Sequence, residues 1–102
     1  MGYEKIESSA DFQLLCKAML ELKSTEDCAH FLEDLCSIAE IAEMSKRLRA
    51  AEMLFHDHPY SEIVTKTGLS TATISRVNKC LRFGSDGYQK VLNALESKDG
   101  YV

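Results

Sequence analysis

Tyr60-Ser-Glu-Ile-Val-Thr-Lys-Thr-Gly68-Leu-Ser-Thr-Ala-Thr-Ile-Ser-Arg-Val-Asn-Lys79 reads as two short amphipathic helices joined at a glycine. Gly68 can adopt the left-handed conformation that ends one helix and turns the chain. Ile63, Val64, Leu69, Ile74 and Val77 fall where two crossed helices would share a miniature core. Ser70 is the expected cap of the second helix. Ser70, Thr71, Thr73, Ser75, Arg76 and Lys79 are left facing outward. This is the pattern of a helix-turn-helix, whose second helix can enter the major groove of DNA with its first residues at base edges.

Around this unit the chain predicts helices throughout. There is no long alternating run bounded by turn residues, so no strand is expected. Ser8-x-x-Asp11 resembles a capping box before Phe12 to Leu22, a stretch apolar on nearly all sides. A helix apolar all round does not suit the surface of a small monomer, and burial between subunits is expected. Ser24-x-x-Asp27 caps a second helix, with Cys28, Phe31, Leu32 and Leu35 on one face. Ser37-x-x-Glu40 caps a third, Ile38 to Phe55, with an apolar stripe of Ile41, Met44, Leu48, Ala51 and Phe55. His56-Asp-His-Pro59 breaks it. Asp86 is the expected cap of a last helix, in which Tyr88, Val91, Leu92 and Leu95 face inward. The fold class is therefore all-α, with about six helices. One domain, 1–102, divides into dimerisation helices at 8–56, the helix-turn-helix at 60–82 and a C-terminal helix at 86–96.

The chain has 102 residues and a net charge of −4, which taken alone argues against nucleic acid. The distribution reverses that argument. Residues 1–45 carry ten acids and three bases, whereas residues 59–82 hold Lys66, Arg76, Lys79 and Arg82 against Glu62 alone. Positive charge is thus concentrated on the candidate DNA-binding unit, and the acidic half would orient docking by repelling phosphate. Lys66, Lys79 and Arg82 are assigned to phosphates. Ser70, Thr71, Ala72, Thr73, Ser75 and Arg76 lie where bases or phosphates would be met. No apolar run reaches membrane-spanning length and no signal pattern opens the chain, so a cytoplasmic protein is expected.

No nucleophile–base pair, phosphate loop or paired carboxylate set can be placed in one pocket, so no enzyme, catalytic residue or cofactor is expected. His56 and His58 flank Asp57 in a turn without further ligands, which does not make a metal site. Cys16, Cys28, Cys36 and Cys80 form no C-x-x-C pair. The first three are expected as buried, reduced thiols on apolar faces.

The layout of six helices, with the fourth and fifth forming the helix-turn-helix, resembles that of the Trp repressor family. Arg47-Leu-Arg49 resembles the Arg-x-Arg of that family's third helix. Ala72-Thr-Ile-Ser-Arg76 resembles its recognition-helix signature, Ala-Thr-Ile-Thr-Arg. Gly68 fits the glycine of the turn, and Asn78 resembles an asparagine displaced by one position. Through Ala72 to Leu81 the chain also resembles the YerC/YecD group, a branch related to the Trp repressor. The resemblance is specific over about Ser37 to Arg82 and implies an interlaced homodimer that binds double-stranded DNA as a transcriptional regulator, a repressor. It also implies a small-molecule pocket, which in the family takes tryptophan. Ser37, Arg47, Thr73 and Arg76 match pocket positions with suitable chemistry. Val77 stands where the family has a glycine beside the indole, Cys80 replaces a serine, and Asp34 and Cys36 replace two leucines of the wall. A valine in a tight pocket would cost about 1–3 kcal/mol or more. The reading is therefore a regulator not controlled by tryptophan, with room for a different small-molecule effector. The competing readings are a tryptophan-dependent repressor, a DNA-binding module of replication or mobile elements, and a helical protein-interaction dimer with no DNA role.

Overall fold

The computed structural model describes residues 6–99. Six helices are defined between Ala10 and Asp99: α1 Ala10–Met19, α2 Thr25–Leu35, α3 Ile38–Phe55, α4 Tyr60–Thr67, α5 Thr71–Phe83 and α6 Gly87–Asp99. No strand occurs among the described residues. The backbone divides into two compact units between Ile41 and Ala42, within α3. None of the six helices is long and apolar enough to cross a membrane.

In the first unit the helix starts follow the local chemistry of serine. Ser9, not Ser8, caps α1, its hydroxyl accepting from the Phe12 N–H at 3.3 Å. The helix ends at Met19, earlier than the apolar run suggested, and tightens into three-residue turns at Glu21 and Leu22. Ser24 caps α2 by accepting from the Asp27 N–H at 3.0 Å, and Asp27 reaches back to the Lys23 N–H at 3.2 Å. Ser37 and Glu40 form a reciprocal box at the start of α3. The Glu40 N–H donates to the Ser37 hydroxyl at 3.1 Å, and the Ser37 N–H donates to the Glu40 carboxylate at 2.8 Å. The Ser37 N–H, and after it the Ser37 side chain, hydrogen-bond the carboxylate, stabilise its ionised form and hold the Glu40 carboxyl below its ordinary range.

Neither α1 nor α2 contains a buried residue. Leu20 is 80% exposed and Ile38 88% exposed, and Leu14, Met19 and Leu35 are also open to solvent. The thiols follow suit and depart from expectation. Cys16 is exposed, Cys28 and Cys36 are half-buried, and all are free. Two helices of ten and eleven residues cannot enclose side chains that point in all directions.

The second unit has a core of its own. Ala50, Ala51, Leu54, Ile63, Leu69, Ile74, Val77, Leu81 and Leu92 are buried together, with Val64 and Tyr88 packed against them. Each large aliphatic side chain there contributes about 1.5–3 kcal/mol on burial. The core register of α3 is Ala50, Ala51 and Leu54, so only Ala51 of the expected stripe is buried, and Met44 and Leu48 are exposed. On α6, Leu92 is buried but Val91 and Leu95 are not.

The end of α3 is a Schellman turn built without glycine. Asp57 takes φ +63°. Its N–H donates to the Leu54 carbonyl at 3.0 Å, and the His58 N–H donates to the Met53 carbonyl at 3.0 Å. Pro59 then prevents the helix from resuming and leads into α4.

Candidate nucleic-acid interface

The turn between α4 and α5 is held by Thr67 and Gly68. Gly68 sits at φ +75°, and its N–H donates to the Val64 carbonyl at 2.8 Å. No atom lies within 4 Å of where a Gly68 Cβ would stand, so the conformation itself, not crowding, calls for glycine. Thr67 is the buried polar residue of the unit. Its hydroxyl donates to the Ile63 carbonyl at 2.7 Å and accepts from the Leu69 N–H at 3.2 Å. That second bond satisfies a donor in the turn that the helices leave unpaired. Sequence reasoning missed Thr67, although a hydroxyl residue directly before a helix-ending glycine is a readable signal.

Ser70 caps α5, its hydroxyl accepting from the Thr73 N–H at 3.1 Å and donating to the Thr73 hydroxyl at 3.1 Å. Thr73 is thereby turned to a local role and is half-buried. Ile74, Val77 and Leu81 face the core. On the outer surface, Ala72, Ser75, Arg76 and Lys79 fall at helical spacing and are all exposed, with Ser70 and Thr71 exposed at the N-terminus. Lys66, at the end of α4, is exposed as well. Among the described residues Lys66, Arg76 and Lys79 have no ion-pair or hydrogen-bond partner. Their charges are available to something else. Arg82 differs, because its guanidinium donates to Asn78 at 3.2 Å and to the Leu54 carbonyl at 3.3 Å.

The residues matched to a ligand pocket fare unevenly. Val77 is only 4% exposed and is a core residue. Arg47 pairs with Glu43 at 3.1 Å on its own helix, with both side chains about half exposed. Such a pair contributes little, about 0.3–0.5 kcal/mol, so it does not immobilise the guanidinium. Cys80 is exposed. Tyr88, which the sequence reading placed only in the core, has a phenol whose pKa is raised by burial and further by the charge of Cys80, with Arg47 opposing. Ser37 belongs to the first unit, where its hydroxyl is engaged as the cap of α3.

The profile of the Trp repressor protein family matches residues 10–96. The chain belongs to the Trp repressor family. It is 44% identical over 85 residues to the uncharacterized protein YerC of Bacillus subtilis (strain 168), covering 83% of this chain and 82% of that protein. Two solved structures share the fold. A TrpR-like protein of Eubacterium eligens superposes with a TM-score of 0.82 at 43% identity, over 86% of this chain and 91% of that one. A Staphylococcus aureus protein solved as a candidate Trp repressor gives 0.86 at 39% identity, over 93% and 94%. For this member of the Trp repressor family, the all-α layout read from the sequence is thus the family's own, and regulation rather than catalysis is the family's business.

Proposed function

We propose that the chain is a sequence-specific DNA-binding regulator of transcription, a repressor acting in the cytoplasm as a homodimer. The observation that carries this reading is the outward stripe of α5, Ala72, Ser75, Arg76 and Lys79, whose cations have no partner among the described residues. Thr71, Ala72, Ser75 and Arg76 are assigned to base edges, with Ser70 and the helix N-terminus beside a phosphate. Lys66 and Lys79 are assigned to phosphates. Membership of the Trp repressor family supports both the DNA role and the dimer.

The dimer has its own support. Phe12, Leu14 and Met19 of α1 and Leu35 of α2 are exposed in the single chain, and the other apolar side chains of both helices are not fully buried. Interlacing residues 8–56 of two copies would bury them and would set two recognition helices to face successive major grooves, about 34–36 Å apart. Interface and core would then be one structure, so a Leu15→Asp chain should unfold rather than dissociate.

Tryptophan does not fit as the controlling ligand, since the Val77 side chain belongs to the packed core. DNA binding is then constitutive or set by another effector. Gel shifts of selected duplexes over a range of salt concentrations test the reading, together with sedimentation of the free protein. Absence of any salt-dependent shift would favour the protein-interaction dimer, and a folded monomer at micromolar concentration would remove the interlaced arrangement.

A further inference from the structure

Arg82 is the cation of the helix-turn-helix that the fold uses for itself. One terminal nitrogen of its guanidinium donates to the Leu54 carbonyl at 3.3 Å, joining residues 28 apart, from the last turn of α5 to the last turn of α3. Its Nε donates to the Asn78 side-chain oxygen at 3.2 Å, one turn earlier on α5. The Leu54 carbonyl already accepts the Asp57 N–H at 3.0 Å, and a carbonyl oxygen has a second lone pair to offer. It also lies at the negative end of the α3 dipole, where a cation is favoured. Asn78 and the Leu54 carbonyl accept from neighbouring donors on one edge of the guanidinium. The planar fork of arginine can serve two acceptors this way, whereas an ammonium on a flexible stem is a point charge.

We infer that Arg82 is a positioning residue, whose guanidinium ties the end of the recognition helix to the end of α3 and so sets the angle at which Ala72, Ser75 and Arg76 meet a groove. This rests on the DNA reading above. The inward contacts of α5, Ile74, Val77 and Leu81, are apolar and therefore non-directional. A helix seated on such contacts alone can rock. A directional bond at its C-terminal end removes that freedom, because the opposite end is already fixed by Ser70 and the Thr67 turn. Rocking would misplace base contacts, which need hydrogen-bond geometry, more than lysine–phosphate contacts, which long flexible side chains can follow.

The test is Arg82→Lys and Arg82→Gln in the full chain, with Lys79→Ala as the phosphate control. Circular dichroism first establishes that each variant is folded, and Arg82→Lys is decisive because it keeps the charge and most of the stem. Affinity is measured on a selected site and on a random duplex of equal length, across salt concentrations. The expected result is a loss of about tenfold on the selected site for both variants, the scale of a spoiled base contact. Random-duplex affinity should stay within about twofold and the salt slope should not change, since no phosphate contact is removed. Asn78→Ala should act in the same sense, and combined with Arg82→Lys should add little, because both remove one tie. The inference is overturned if Arg82→Lys keeps wild-type site preference. It is equally overturned if Arg82→Gln weakens both duplexes alike and lowers the slope by about 1, the signature of a phosphate contact. A wild-type chain with no site preference at all would instead fail the DNA reading, and the positioning role would fall with it.

Discussion

Thr67→Val would break the turn of the helix-turn-helix at its polar centre while keeping its shape. The side chains are nearly isosteric, so no sizeable cavity follows, but the hydroxyl is lost. The Ile63 carbonyl, within a helix, loses only the side-chain donor at 2.7 Å. The Leu69 N–H, on a buried residue, loses its acceptor at 3.2 Å. An orphaned buried donor costs about 1–3 kcal/mol, and the lost donation adds about 0.5–1.5 kcal/mol. The sum, about 1.5–4.5 kcal/mol, is a large share of the stability of a small domain. Urea unfolding followed by helical circular dichroism reads this directly, with protein concentration held fixed in case assembly contributes. Thr67→Ser is the control. It keeps both bonds and gives up one methyl group, about 0.8 kcal/mol. The reasoning fails if Thr67→Val lies within about 0.5 kcal/mol of wild type, the ordinary range of a surface change, or if serine proves the worse substitution.

Arg76→Ala and Lys79→Ala should both weaken DNA binding. Lys79→Ala should do so about equally on all sequences with a salt slope smaller by about 1, and Arg76→Ala should shift preference at one position by about 1–3 kcal/mol, as a binding-site selection would report. The lowered pKa of Glu40 predicts acid sensitivity of the first unit. A carboxyl whose folded pKa is depressed adds stability that is present above its unfolded value, about 4.3, and is lost as pH falls through the folded value. Glu40→Gln should flatten that part of the unfolding profile below about pH 4.3, and an unchanged profile would discount the capping box. Calorimetry should find no micromolar binding of L-tryptophan to the wild-type chain, whereas Val77→Gly with Cys80→Ser should gain binding if the family geometry holds.

What could be read from the sequence was mostly what neighbours in the chain determine. The Ser24–Asp27 and Ser37–Glu40 caps, the limits of α3 and the Gly68 turn depend on residues within about one helical turn of each other, and the structure has them where they were expected. Ser8 and Ser9 are adjacent, and both satisfy the local logic of a cap, so the sequence could not choose between them. The stripe of α3 was legible only as a face. Met44 and Leu48 have the period of one, but period does not say what covers it. Within one chain the cover begins only at Ala50. Arg82 was assigned to phosphate; that its guanidinium also donates to the main-chain carbonyl of Leu54, 28 residues away, leaves no mark in the sequence.

The two units solve the problem of a short chain in opposite ways. In the second unit, α5 is fixed at each point by contacts made within that unit. Ser70 caps its start, Thr67 secures the turn before it, and Ile74, Val77 and Leu81 seat it on the core. Arg82 ties its end to α3, and Gln89 donates to the Leu81 carbonyl from α6 at 3.0 Å. A helix so constrained gains little order from a ligand, because a ligand shifts an equilibrium only by its differential affinity for two states. With Val77 filling the core, the alternative state in which a pocket opens must first lose that packing, about 0.5–1.5 kcal/mol even for one methyl-sized adjustment. Control by a small molecule would therefore have to act elsewhere. The first unit is the place where free energy is still to be gained, since its helices bury no side chain in the single chain. Assembly, rather than a co-repressor, is accordingly the step that should decide whether two recognition helices are presented together. DNA affinity should then track protein concentration more closely than it tracks any amino acid.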